Sequence, residues 1–515
     1  MILENGTIRT LDPSLPLARA LAIAGDRIAG GIGTHETALA SPEVVDLRGR
    51  CVLPGFTDAH VHFLQWALAQ DQVRLEDATS RDDAVARVAQ AVRETPPGGW
   101  VRGTGWRDAA WTPAAEPTKN ALDEVSADTP VALMAKDGHS LWLNSAALAR
   151  ADGDLQVPGG VVETNERGEP SGVLREESAW RFRNGVVLAA VTDEEALGAM
   201  RVGLEHCAER GVVAVHDKDG WLGILPRWQR LQAEQGLTLR VWQSLPHTSL
   251  EELERLRLRA GLGDRYLRAG YLKAFMDGTL GSQTARLLDG SGIEITSGAE
   301  LEEIIRRGAR IGWPVSVHAI GDRANRDALD AFEATRGEWE QGGLRPRVEH
   351  AQCVSPDDLA RFAQLGVAVS VQFSHAPSDR DLAERFWADR LDAAYAFRSL
   401  ADSGAVVANG SDAPIEELDP WWGICAGVRR TIDDRPAWRS EEAVTLEQAL
   451  QATCVAPAWL SGDEHVRGRL VPGLLADLVV LDRDPIGLEP EELPEVHVVA
   501  TMVGGRWVHN PPPWD

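Results

Sequence analysis

The sequence is poor in cysteine, in basic surplus and in long apolar runs. Its 515 residues contain five cysteines (Cys51, Cys207, Cys353, Cys425, Cys454), an odd number with no CxxC pair. That spacing argues against a disulfide framework and fits the reduced thiols of a cytosolic protein. Acid exceeds base, for a formal net charge of −26. A surface of that sign repels phosphate backbones and anionic lipid, so neither nucleic acid nor a membrane surface is an expected partner. The opening "MILENGTIRTLDPS" lacks a basic stretch leading into an apolar one, so it does not read as a secretory leader. No apolar run approaches the length of a bilayer span. A cytoplasmic location is the expectation. Neither a fixed-period repeat nor a low-complexity segment occurs.

The composition itself is that of a globular protein, 44% hydrophobic and 25% charged. A chain this long exceeds one ordinary core, so a large domain with satellites is expected. Both ends read as short strands around Gly, Asn and Asp turns, as in "ILENGTIRTLD", "LARALAIAGDRIAGGIG" and "VVATMVGGRWVHN". They predict one small β-sandwich domain composed of residues 1–51 and 465–515. The middle, 52–464, alternates apolar strands with helical stretches, the pattern of a parallel α/β architecture. Expected strands are 52–60, 212–217, 240–245, 271–278, 314–321, 347–352, 367–374 and 406–414. Eight strands with helices such as "ELEEIIRRGARIG" between them predict a (β/α)8 TIM barrel. The interval after the first strand is too long for a loop, so residues 65–205 are read as an inserted α/β subdomain plus its returning helix.

The stretch "PGFTDAHVHF" places His60 and His62 one residue apart. On a strand, such residues share a face, so both imidazoles reach into one space. Lys273 falls within the fourth strand among apolar neighbours, while His318, His350 and Asp412 fall at the ends of the fifth, sixth and eighth. In a barrel those ends open on one face, where active sites are built. Each residue alone has a plainer reading. The HxH pair and His318 could be packed core histidines, and Asp412 in "NGSDAP" could cap a helix or form an Asx turn. Lys273 resists dismissal, because a lysine in an apolar strand is costly unless neutralised or paired. The order HxH, Lys, His, His, Asp along successive strand ends is what chance explains badly.

That order resembles the metal-dependent amidohydrolase superfamily, and within it the amidohydrolase 3 group, whose YtcJ-like members include N-substituted formamide deformylases. The likeness runs through "PGFTDAHVH", "GTGWRDAAW", "KDGHSLWLNSAAL", "GGVVETNERGEPSGVL", "LKAFMDGTLGSQTA", "VHAIGDRA", "RVEHAQ", "NGSDAP" and "PGLLADLVVLDRDP". It implies that Lys273 becomes a carbamate bridging two divalent metals, with Zn²⁺ suited to the donors. By the same likeness His60, His62 and Asp412 bind one metal, and His318 and His350 the other. A water between two cations would ionise near neutral pH and attack a polarised carbonyl. Asp412 would take its proton and pass it to the departing amine. The implied reaction is hydrolysis of a non-peptide C–N bond in a small-molecule substrate. A cyclic amide or a lactone could use the same chemistry. Deamination with a single metal is disfavoured, because "VHAIGDRAN" has no glutamate near His318. A non-catalytic scaffold is disfavoured too, because every expected ligand position is filled. The fold is compatible with a homo-oligomer, but no sequence signal fixes the number of subunits.

Six of the eighteen tryptophans lie in the insert: Trp66, Trp100, Trp106, Trp111, Trp142 and Trp180. Aromatics dominate small cores, so the plain expectation is that these form one. The sharper expectation is a lid whose Trp106 and His139 face substrate, with the resemblance favouring His139 in its DGH segment.

Overall fold

The computed structural model describes residues 1–29, 43–70, 72–136 and 138–514. Residues 30–33 of "LARALAIAGDRIAGGIG" and Asp137 of the DGH segment lie outside that range. By packing, the chain divides into two compact units, one of Met1–Phe63 with Val202–Asp515 and the other of Leu64–Arg201.

In the first unit, eight parallel strands follow one another around a nearly closed barrel: β1 (Phe56–Val61), β2 (Val212–Asp217), β3 (Arg240–Pro246), β4 (Leu267–Phe275), β5 (Val315–Ala319), β6 (Arg347–His350), β7 (Ala368–Val371) and β8 (Val407–Asn409). Their apolar runs match full burial, as in β2, β5, β6 and β7, where every residue is buried. Strands covered on both faces need no polar alternation. The hydrogen-bonded path runs from β8 back to β1. The segments beyond these two strands meet directly, Asp412 N donating to His60 O at 2.7 Å and His62 N to Ala413 O at 2.9 Å.

Helices between the strands follow their sequence signals. Gly298–Ile311 opens on a capping box of Ser297 and Glu300 and buries Leu301, Ile304, Ile305 and Gly308, one face at helical spacing. Pro356–Leu365 starts with proline in its first turn and stops at Gly366, whose φ of 76° needs no Cβ.

The first expected strand is corrected. Residues 52–60 are not one strand, because the chain turns at Gly55 between Cys51–Pro54 and β1. A Cβ on Gly55 would lie 2.2 Å from a Val213 methyl, so only glycine fits this junction. Cys51–Pro54 joins a different sheet, pairing parallel with Thr7–Arg9 and antiparallel with Leu478–Leu481. That six-stranded sheet therefore draws on both ends of the chain, and a four-stranded sheet holds Ile2–Glu4, Leu21–Ala24, Arg27–Ile28 and Val44–Asp46. The two sheets share a core of Leu3, Ile8, Leu21, Val52, Leu478 and Met502. They fall in the same compact unit as the barrel.

The second unit carries its own six-stranded mixed sheet, including Val101–Trp106, Val131–Ala135, Ser140–Leu143 and Pro170–Glu176. Trp106, Trp111 and Trp142 pack together in its core, with ring centroids 5.8–6.3 Å apart. Among the described residues, no helix is long and apolar enough to cross a membrane.

Candidate metal centre

The C-terminal ends of the barrel strands bring the separated polar residues together. His60 lies in β1 and His62 follows it, and both turn Nε2 towards Asp412 Oδ1 at 3.3 Å. Asp412 sits three residues beyond β8, in the left-handed region at φ 57°. His350 ends β6 at φ 74°. Such a backbone is costly for a residue with a Cβ and persists where the surroundings demand a particular aim. The His350 ring lies 4.8 Å from that of His60 and 4.5 Å from that of His318, centroid to centroid. His318, in β5, stands beside this group, with Nε2 3.0 Å from Gly278 O.

Among the described residues, two groups bring their ligand atoms within 4.8 Å of one another: His60, His62 and Asp412, and His350, His375 and Asp412. Asp412 belongs to both. Lys273, in β4, is 2% exposed, and its Nζ makes no hydrogen bond and faces the ring of Phe275 at 4.9 Å.

Each imidazole is fixed from behind by a group that the strand-end pattern did not reveal. His60 Nδ1 donates to Glu349 Oε2 at 2.8 Å, and His62 Nδ1 to Asp219 Oδ1 at 2.9 Å. These bonds hold the proton on Nδ1 and leave Nε2 for a cation. His60 Nε2 indeed makes no hydrogen bond. Glu349 is itself held by Lys218 Nζ at 2.8 Å and by Arg347 Nε at 2.8 Å, all three wholly buried. A signal for Glu349 was present, since "RVEH" puts a charge inside an apolar strand. Asp219 sits in "HDKDG", a run of polar residues at the end of β2.

The electrostatics fit a cation. Burial pushes the His60 imidazole down to about 3, against Glu349 and Asp412, so it is neutral and ready to ligate. Burial also opposes charge on His62, but hydrogen bonds to Asp219 and Asp412 outweigh it and lift that group to about 9. Burial works against ionised Asp412 too. The neighbouring His60, His62 and His350 prevail and hold its carboxyl well below the usual range. Burial lowers the Lys273 amine to about 8, opposed by Glu349 and Asp412. A neutral His60 imidazole and an ionised Asp412 carboxylate converge here, and the proton that His62 holds against the same carboxylate is one that a cation would replace. The residues present fit a divalent metal.

Residues 43–509 match the amidohydrolase family. The chain belongs to it. Four proteins show how far the likeness reaches along this amidohydrolase. Protein LONG AFTER FAR-RED 3 of Arabidopsis thaliana is 30% identical, over 99% of this chain and 91% of the plant protein. The putative amidohydrolase YtcJ of Bacillus subtilis is 29% identical, over 94% and 95%. An N-substituted formamide deformylase of Arthrobacter pascens is 29% identical, over 98% and 97%. The crystal structure of an uncharacterized metal-dependent hydrolase from Pyrococcus horikoshii superposes with a TM-score of 0.80 at 28% identity, over 95% and 99%.

The two residues expected to face substrate are placed differently from each other. Trp106 is a core residue of the second unit, 2% exposed, and its Nε1 donates to Leu133 O at 2.8 Å. Packing against Trp111 and Trp142 and that bond account for its burial. His139, 7% exposed, pairs through Nδ1 with Glu176 Oε2 at 2.8 Å and packs edge-on against Trp180.

Beside the metal-competent groups the first unit offers an aromatic wall. The Trp221 ring, 37% exposed, is 5.5 Å from the His62 ring and 6.0 Å from Phe275, which in turn lies 5.3 Å from His318.

Proposed function

We propose that this amidohydrolase hydrolyses the C–N bond of an N-substituted formamide or a related small amide. The observation that carries the reading is the joint approach of His60 and His62 to Asp412, with an unpartnered buried Lys273 nearby. The formamide deformylase relative supports the choice of bond. Zn²⁺ suits the imidazole and carboxylate donors. His60, His62 and Asp412 would hold one ion, His318 and His350 a second, and Lys273 would join them as a carbamate. Bound there, such ions supply an acidified water and a polarised carbonyl.

The protein's own groups supply the rest. Asp412 accepts the proton of the attacking water and returns it to the amine nitrogen, which leaves badly as an anion. Glu349 and Asp219 keep His60 and His62 in the right tautomer throughout. Trp221 and Phe275 offer an apolar face to the substituent on the amide nitrogen.

The test is a screen of N-formyl and N-acyl amines against lactones and ring amides, using metal-reconstituted protein. Turnover of the N-formyl amines is expected. Hydrolysis of lactones alone would overturn the amide assignment. A single tightly bound metal per chain would redirect the search towards ring deamination.

A further inference from the structure

The strand-end pattern left one imidazole out. His375 opens a four-residue helical turn, His375–Ser378, just after β7, and is 4% exposed. One of its ring nitrogens lies within 4.8 Å of ligand atoms of both His350 and Asp412, so the ring belongs to the metal-competent cluster. Its Nε2 is buried and without a hydrogen-bond partner.

Two glutamines bind the loops after β6 and β7 to each other, and they do so with opposite polarity. Gln372, after β7, presents its carbonyl Oε1 to Nδ1 of His350 at 2.9 Å. Gln352, after β6, presents its amide Nε2 to Nδ1 of His375 at 3.0 Å. A carbonyl oxygen accepts, so His350 carries its proton on Nδ1 and leaves Nε2 bare. An amide nitrogen only donates, so Nδ1 of His375 is the acceptor and Nε2 carries the proton. Two neighbouring imidazoles are thereby set in opposite tautomers. One is suited to a cation and the other is a fixed N–H donor with nothing yet to donate to.

We propose that His375 is a catalytic hydrogen-bond donor. Its Nε2–H binds the substrate's carbonyl oxygen and stabilises the negative charge that gathers there as the carbon becomes tetrahedral. This rests on the hydrolase reading above. No proton is transferred, and the donor is the same before and after the reaction. Its value lies in being oriented beforehand by Gln352 in a buried site, where such a bond counts for more than in water.

The experiment measures binding of methylphosphonate, a tetrahedral oxyanion probe, to the metal-loaded full chain by calorimetry, alongside metal per chain. In His375→Phe the metal content should stay at the wild-type level while methylphosphonate affinity falls by about 10–100-fold, the scale of one lost hydrogen bond to a charged group. His375→Gln, which can still donate from an amide, should recover part of the loss. Gln352→Leu adds no charge but removes the donor that holds Nδ1 as the acceptor, so the ring can place its proton on either nitrogen, and the probe should weaken by less than in His375→Phe with metal content unchanged. Loss of metal in the His375 variants would overturn the proposal and make the residue a ligand. So would unchanged probe affinity in His375→Phe or in Gln352→Leu, whichever folds. If the wild type binds the probe through His375 but cleaves no N-acyl amine, the amide assignment fails and the donor assignment stands.

Discussion

Lys273 shows how much one residue can state about the site. Its amine is buried without a partner, a condition that costs about 1–3 kcal/mol. Lys273→Met keeps the length of the side chain and removes the amine. Metal-free Lys273→Met should be more stable than metal-free wild type by about that amount in urea unfolding, while losing the ability to hold metal. A metal-free variant less stable than wild type would mean that the amine is satisfied after all. Asp219 makes the complementary argument through His62. A carboxylate behind a ligating imidazole raises its basicity and fixes its aim, and removing it typically costs about 10–100-fold in metal affinity. His62 also holds a proton up to about 9 when no cation is bound. Metal must expel that proton, so affinity should rise with pH towards 9 in the wild type. In Asp219→Asn the proton is held less firmly. The loss of affinity should therefore be largest near pH 9 and smaller near pH 7, as read by competition with a chelator. A uniform loss at all pH values would rule out this linkage. The candidate ligands were legible because they stand alone as polar groups at the ends of apolar strands. Asp219 and His375 were not, because they open short helical turns beyond their strands, where polar residues carry no contrast, and Gln372 was not, because a neutral amide near a strand end carries no ligand signal.

At the scale of the element, the site depends on how the last strand of the barrel meets the first. Gly410, just past β8, lies so close to β1 that a Cβ there would stand 2.4 Å from His60 N and 2.9 Å from Asp58 Oδ1. Asp58 ties the two segments, accepting from His60 N at 3.0 Å and Ser411 N at 3.1 Å. Neither backbone can yield without moving His60 or Asp412. Gly410→Ala should cost about 1–3 kcal/mol by overpacking, and metal affinity should fall with it, although no ligand has changed. An alanine variant that keeps wild-type metal affinity would show that the seam has slack. Eight strand positions could be read from apolar runs because a doubly covered strand has no reason to be polar. The boundaries were read less well. β4 begins at Leu267 rather than 271, and β8 ends at Asn409, leaving Asp412 in a loop. The split at Gly55 was invisible because both halves are apolar, and an apolar run does not say which sheet it joins. Only the lack of space beside Val213 sets the turn there.

Across the whole molecule, residues far apart in sequence decide what unfolds with what. Arg240, at the start of β3, forms a two-pronged buried ion pair with Asp477, at 2.7 and 2.9 Å, just before Leu478–Leu481 of the terminal sheet. Asp477 also accepts from Gly504 N at 2.8 Å, and its carbonyl takes the Gly55 N–H at 3.0 Å, at the junction where the sheet passes into β1. Thr501 Oγ1 donates to Ala208 O, ahead of β2. The terminal sheets are thus joined to the barrel by buried polar bonds as well as by chain continuity. The alternating ends predicted one small β domain built from both termini, and no spacing in the sequence could have shown a pair 237 positions apart. The consequence is testable. Asp477→Ala strands Arg240, only 6% exposed, as an uncompensated buried charge, which costs about 3–5 kcal/mol. If the terminal sheets and barrel form one cooperative body, calorimetry should show the main transition itself moving down. Arg240→Met in the same chain should return part of the loss by removing the stranded cation. A new, separate transition at lower temperature, with the main one unmoved, would instead mean that the ends melt by themselves and that the ion pair stabilises only their edge.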